Sequence, residues 1–520
     1  VATITIDSVE HEFEAGMNLF EAIREANGEP LPHFCYHPGL SIAGVCRMCQ
    51  VEIEGAPKLV VACNATVRDG MVVHTRSERV NRAVQSILNF HLLHHPVDCP
   101  VCDQAGECSL QDFYMEHGLY ESEIDIEDKI AKGKVKPIGE LVMLDAERCV
   151  LCARCTRFTS EVTKTHELGI FNRGNHAEID VAPGMTLDNN YSLNTVDLCP
   201  VGALTSRDFR FQKRVWWLSE NDSVCTGCAT GCNMTVHHDA DVAYRFKPRH
   251  NDAVNGYWMC DEGRLGYKQL NAESRLGQPL IDGSESSWEA AFEIIRQAVA
   301  GSQVAFVGSP HATLEELFAL RRVAEAASAD LLGYRLAGTE RGEADDLLVS
   351  ADRTPNATGA ARLGLREFDA DALASIAGKV VFVLQNDLAG LDEAAAVALK
   401  SASCVVLLAT DANATASLAK VVLPIRNAAE KTGTLVNGQG RAQALNVALG
   451  APEHSRDAIA VLRRIAQLLG HEFAWEDAQA LCSELAGTVE GFAALSGGCG
   501  ELGVNLDAGA PTTVGGEVQS

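Results

Sequence analysis

The sequence predicts a multidomain fold, α+β in its front half and α/β in its rear half. Three observations carry this reading. The chain has 520 residues, enough for several domains of roughly 100–200 residues each. Fifteen of its 18 cysteines precede residue 261, so its reactive chemistry is gathered at one end. Beyond that point short apolar runs alternate with Ala-rich helical stretches, the pattern of a parallel sheet covered by helices.

Bulk composition narrows the class. An apolar fraction of 47% and a charged fraction of 22% belong to a folded chain rather than a disordered one. The formal charge of −27 argues against nucleic-acid binding, which needs a basic stripe to neutralise phosphates. No apolar run of about 18 residues is present, so no membrane span is expected. Residues 1–6 alternate like a strand and lack the charged-then-apolar pattern of a secretory signal. Cysteines so clustered in an unsecreted chain point to metal rather than to a disulfide framework.

Taken in order, residues 1–80 read as a small α+β module: strand alternation at 3–6, a helical stretch around 19–26, then a loop bearing cysteines. Residues 81–120 open with a helical pattern of Val84, Ile87, Leu88 and Leu92 and run into His95 and Cys99. A charged connector at 121–136 leads to a third module, 140–215, and a fourth at 220–275. Residues 280–485 form the α/β part. Ser287 N-caps a helix burying Trp288, Ala291, Phe292, Ile295 and Val299. Strands are expected at Val304–Val307, Val380–Leu384 and 404–408, with a helix from about Leu314. The stretch 486–520, rich in Gly, Ala and Thr, reads as a flexible tail.

The cysteines fall into four sets. Cys35, Cys46, Cys49 and Cys63 lie in a loop punctuated by Gly39 and Gly44, as a wrapped 2Fe–2S cluster requires. Zinc also takes four cysteines. In the second set His95 stands before Cys99, Cys102 and Cys108. An imidazole there completes a 4Fe–4S cube that three thiolates would leave open. The same combination serves zinc, and His91 or His94 is also a candidate ligand. Cys149, Cys152 and Cys155 with the remote Cys199–Pro200 follow the bacterial ferredoxin pattern for 4Fe–4S. Cys225, Cys228, Cys232 and Cys260 supply a further cube. Cys404 reads as a buried small hydrophobe in a strand, and Cys482 and Cys499 lack the company of ligands.

The stretches HFCYHPGLSIAGVCRMCQVEIEG, HHPVDCPVCDQAGECSLQD, RCVLCARCTRF and DLCPVGAL resemble the large iron–sulfur subunit of bacterial respiratory complex I (NADH:quinone oxidoreductase), the mitochondrial 75 kDa family. The likeness runs in order from residue 1 to about 270. It implies a β-grasp ferredoxin domain holding 2Fe–2S, and three 4Fe–4S sites on the remaining sets, with His95 as the nitrogen ligand. It also implies that electrons enter at the 2Fe–2S site and pass the cubes at 149–199 and 95–108, while the cube at 225–260 lies off the path. Farther on, Val421–Pro424, the run Glu430-Lys431-Thr432-Gly433-Thr434 and the run 437–441 resemble molybdopterin oxidoreductases. In the complex I family that domain is a remnant without molybdopterin. The C-terminal region here looks short against the family.

The resemblance further implies partners: a flavin- and NADH-binding subunit, other iron–sulfur subunits of the peripheral arm and, through them, the membrane arm. The location implied is peripheral, on the cytoplasmic side of the bacterial inner membrane. No catalytic residue is expected in the chain itself. No G-x-G-x-x-G fingerprint follows a strand, so no NADH site is expected in the chain, and the resemblance implies that quinone is met on other subunits. Two other functions share parts of the pattern. The electron-transfer subunit of an NAD-reducing hydrogenase has a similar front half but stops before the fourth set. An NAD-linked formate dehydrogenase would need a metal-ligating cysteine well after Cys260, and Cys404 is the one candidate before Cys482.

Overall fold

The computed structural model describes residues 1–118 and 120–507. The chain forms two compact units, residues 1–218 and 219–520.

The first unit opens on a five-stranded sheet in the order Val9–Phe13, Ala2–Ile6, Val72–His74, Gln50–Ile53, Val60–Val61. The first two strands form an antiparallel hairpin and Ala2–Ile6 runs parallel to Val72–His74. The alternation read from the sequence buries Ala2, Ile4 and Ile6 on one face. A helix, Leu19–Asn27, covers that face with Leu19, Phe20, Ala22 and Ile23. Its ends are locally encoded. Asn18 accepts the Phe20 N–H at the start, and Gly28 at φ 74° ends it in a left-handed conformation a Cβ would strain. The helix Glu78–Leu92, capped by Ser77, buries Val80, Val84 and Leu88.

A three-stranded sheet, Leu204–Ser206, Val142–Leu144 and Lys136–Pro137, frames the third cysteine set. Leu204 pairs with Leu144 in antiparallel register, and this pairing returns residue 199 to the neighbourhood of residues 149–155. Sheet pairing thus closes a ligand gap that the sequence leaves open.

The second unit begins with the antiparallel strands Ser219–Val224, Asn233–Asp239 and Val242–Pro248. It also holds a seven-stranded sheet whose central strands, Val421–Pro424, Cys404–Ala409, Val380–Leu384 and Val304–Val307, are parallel, with Asp330–Gly333 parallel at one edge. These strands read as continuous apolar runs because helices cover both faces. The helix Trp288–Val299 starts at Ser287, and Leu314–Ala326 starts at a Thr313/Glu316 capping box.

The tail expectation requires correction up to residue 507. Phe492 and Leu495 are buried in the core of the second unit, and Val504–Asn505 pairs with Arg441–Leu445. Small residues dominate this stretch, and they mask the few large apolar side chains that anchor it. The rest of that expectation, 508–520, lies outside the described residues. Among the described residues no helix is long and apolar enough to cross a membrane.

Candidate iron–sulfur sites

In the first set Cys35, Cys46, Cys49 and Cys63 are all buried. Their thiols lie within hydrogen-bonding reach of one another, Cys35 with Cys46 and Cys63, and Cys49 with Cys63. Such crowding cannot sustain four thiolates. The Cys35 thiol is driven down by hydrogen bonds from Cys46 and Cys63, which are driven up in turn. A cationic core between them would relieve the conflict, so this donor set fits an iron–sulfur cluster. The Phe34 N–H also points at Cys46 Sγ across 3.4 Å.

The second set hangs from the turn Cys99–Val101. Burial pushes the Cys102 thiol up and the Cys108 thiol to about 12, and lowers His95 to about 4, which keeps its imidazole neutral as a metal ligand must be. All three histidines of this stretch have contacts, and His95 Nδ1 accepts the Val97 N–H at 3.1 Å. His91 meets Phe34 edge-on at 5.0 Å, and His94 Nδ1 accepts the Ile130 N–H at 3.4 Å. Asp98, beside Cys99, receives a two-pronged bond from Arg148, beside Cys149: Nε to Oδ1 at 3.0 Å and Nη2 to Oδ2 at 2.7 Å. This pair ties the second set to the third.

Cys149, Cys152, Cys155 and Cys199 line one small cavity of about 20 Å³. Burial raises all four thiols, Cys149 to about 12 and Cys152 to about 11. Leu151 (φ 52°) and Ala153 (φ 60°) are left-handed, and this winding turns successive N–H groups toward sulfur. The Leu151 N–H reaches Cys149 Sγ at 3.4 Å, and the backbone of Arg154 serves Cys152. A helix, Arg154–Arg157, follows and continues as a π-helical turn, Phe158–Val162.

The fourth set occupies the loop between Val224 and Asn233, with Cys260 at the N-cap of the helix Asp261–Leu265. Gly227 and Gly263 direct N–H groups at Cys225 Sγ (3.5 Å) and Cys260 Sγ (3.3 Å). A Cβ on Gly263 would stand 3.1 Å from Cys225 Sγ and 3.3 Å from Cys260 Sγ. The loop is gripped from the rear of the unit. Asn437 donates to Thr230 O (3.1 Å), Gly438 to Ala229 O (2.6 Å) and Gln443 to Gly231 O (2.9 Å).

Among the described residues no three His, Cys, Asp or Glu side chains converge as ligands of a single ion. Cys404 is buried in its strand, as its apolar neighbours suggest. Cys482 and Cys499 are closer to each other than the sequence reveals, and both face Glu315. Burial pushes these thiols to about 12 and about 11, so they stay protonated and inert.

Family sequence models match this architecture piece by piece. A 2Fe–2S iron–sulfur cluster binding domain matches residues 2–78, and the NADH-ubiquinone oxidoreductase-G iron–sulfur binding region matches 85–123. The ferredoxin-like domain of NADH-quinone oxidoreductase subunit 3 matches 139–205. A molybdopterin oxidoreductase Fe4S4 domain matches 218–272, and molybdopterin oxidoreductase matches 348–468. The chain is 35% identical over 356 residues to the NADH-quinone oxidoreductase G subunit of Rickettsia felis, covering 65% of this chain and 52% of that one. Over this stretch the chain is similar to the NADH-quinone oxidoreductase G subunits. The G subunit of Streptomyces coelicolor is 36% identical over 63% of this chain and 40% of its own length. The NADH-ubiquinone oxidoreductase 75 kDa subunit of Reclinomonas americana is 38% identical over 57% of this chain and 43% of its own. The chain thus spans about half the length of the curated relatives it matches. It carries 2Fe–2S and 4Fe–4S binding domains and a molybdopterin-oxidoreductase-like domain.

Proposed function

We propose that this chain is the electron-relay subunit of an NADH:quinone oxidoreductase, accepting single electrons from a flavoprotein partner and passing them toward quinone. The observation that carries this reading is the grouping of three cysteine sets in one compact unit, joined by direct bridges, in a chain related to the G subunits.

In this reading Cys35, Cys46, Cys49 and Cys63 hold a 2Fe–2S cluster. His95, Cys99, Cys102 and Cys108 hold one 4Fe–4S cluster, Cys149, Cys152, Cys155 and Cys199 a second, and Cys225, Cys228, Cys232 and Cys260 a third. When bound, such clusters supply one-electron carriage at potentials set by ligand type, hydrogen bonds to sulfur and burial. The chain's own residues supply the rest. The Leu151, Gly227 and Gly263 N–H groups stabilise charge on sulfur. Buried apolar neighbours such as Phe34, Phe158 and Val201 keep water from the thiolates.

The modules 1–80, 81–120, 140–215, 220–275 and 280–485 describe this division of labour, with 280–485, joined by residues 486–507, a scaffold that no longer uses molybdopterin. Its motif residues are consumed internally: Lys431 pairs with Glu316 at 2.6 Å, and Glu430 with Arg275. The partners are a flavin- and NADH-binding subunit and other iron–sulfur subunits of a peripheral arm on the cytoplasmic side of the inner membrane.

Elemental analysis of anaerobically purified protein tests the reading. It expects about fourteen irons per chain with neither zinc nor molybdenum. Stoichiometric zinc in place of iron would overturn the relay, and stoichiometric molybdenum would make the rear domain catalytic. Cys152→Ser is expected to remove one cluster and block NADH-to-quinone turnover.

A further inference from the structure

Arg154 stands between two cysteine sets with no carboxylate paired to it among the described residues. The residue is 9% exposed. Nη2 donates to Tyr36 O at 2.5 Å and Nη1 to Leu198 O at 3.2 Å. Those carbonyls belong to the neighbours of Cys35 in the first set and Cys199 in the third. The cation is coupled to sulfurs of the same two sets, Cys152 and Cys199 in the third and Cys35 and Cys46 in the first. Its Nε is buried without a partner. A buried cation without counter-charge is strongly disfavoured. On the cluster assignment above, the clusters of the first and third sets would supply that counter-charge.

We propose that Arg154 is a shared counter-charge that sets the reduction potentials of both clusters together. The inference rests on the cluster assignment above. Reduction of either cluster adds a negative charge, and a fixed cation between them stabilises the reduced form of each. The planar fork lets one side chain reach carbonyls on two separate loops, and the charge it carries there is what both clusters feel. Arg157, one turn on, also spans two loops, through Cys35 O and Ser41 O of the first and Ala153 O of the third at 3.1 Å, but it is more exposed than Arg154.

The test is a potentiometric titration of the cluster-loaded full chain followed by low-temperature EPR, in wild type, Arg154→Gln and Arg154→Lys. Arg154→Gln is expected to lower both midpoints together, and Arg154→Lys to return both close to wild type. Unchanged midpoints in Arg154→Gln, movement of one midpoint alone, or failure of lysine to restore them would overturn the proposal. Should Arg154→Gln fail to load, the lysine variant decides alone: wild-type midpoints support the proposal, and displaced midpoints or lost loading overturn it. Absence of both EPR signals from the wild-type protein would instead overturn the cluster assignment on which the inference rests.

Discussion

Gly202 lies so close to Cys102 that a Cβ at that position would stand 2.3 Å from Sγ. The glycine belongs to the loop after Cys199, and the cysteine to the second set, about a hundred residues earlier in the chain. The same seam carries the Ser109 N–H bond to Pro200 O at 2.9 Å and the Asp98–Arg148 pair.

Gly202→Ala is therefore expected to displace Cys102 and unload the second set while sparing the first. Gln104 Cβ, 3.1 Å away, leaves the methyl little room to shift. Iron should fall by about four per chain, with the 2Fe–2S EPR signal retained. Full iron content would show that the loop moves aside and that the contact is dispensable.

His95→Cys is expected to keep a cluster in the second set but lower its potential, because a thiolate brings a negative charge that imidazole lacks. His91→Ala and His94→Ala should leave that cluster's EPR spectrum in place, since those rings serve Phe34 and Ile130. A changed spectrum in either alanine variant would move the ligand away from His95.

Lys431→Met should destabilise the second unit by about 3–5 kcal/mol, the cost of stranding a buried charge. The Lys431 side chain is 3% exposed and that of Glu316 2%, and Glu316 also caps its helix by accepting the Thr313 N–H at 2.8 Å. Adding Glu316→Gln should recover most of the loss, because the amide still caps without a stranded charge. Urea unfolding measures both variants; equal losses in the single and double variants would dissociate the two residues.

Asp352 gives the second unit an acid limit. Burial alone would raise its carboxyl, but bonds from Arg335 (2.7 Å) and Thr354 (2.6 Å) outweigh burial and hold it below the usual carboxylate range. A folded pKa below the unfolded value of about 3.9 contributes stability above that pH, and the contribution is lost as pH falls through the folded pKa. The melting temperature of this unit should therefore fall below about pH 4. Asp352→Asn should cost about 2 kcal/mol at neutral pH and flatten that acid limb. An unchanged acid limb would assign the loss to other carboxylates.

Much of the molecule was legible without its fold. Ser287 announces a helix start because a cap is a contact between near neighbours in sequence, and Asn18, Ser77 and Thr313, not singled out by sequence alone, cap their helices in the same way. The cysteine spacings stand in the sequence, and the structure brings the thiols of the first set together and lines one cavity with those of the third. The strands Val304–Val307 and Val380–Leu384 were visible as apolar runs because both faces are covered.

The sequence by itself determined the residue types, their spacing and the elements that carry them. Tertiary structure alone decided what stands between the groups. It placed Gly202 against Cys102, Arg154 on carbonyls beside Cys35 and Cys199, and Asn437 on the loop of the fourth set. It also anchored residues 486–507 through Phe492 and a strand at Val504–Asn505. Periodicity and spacing record only interactions a few residues long. Contacts between segments far apart in the chain depend on how strands pair and helices pack, and a single sequence does not spell these out.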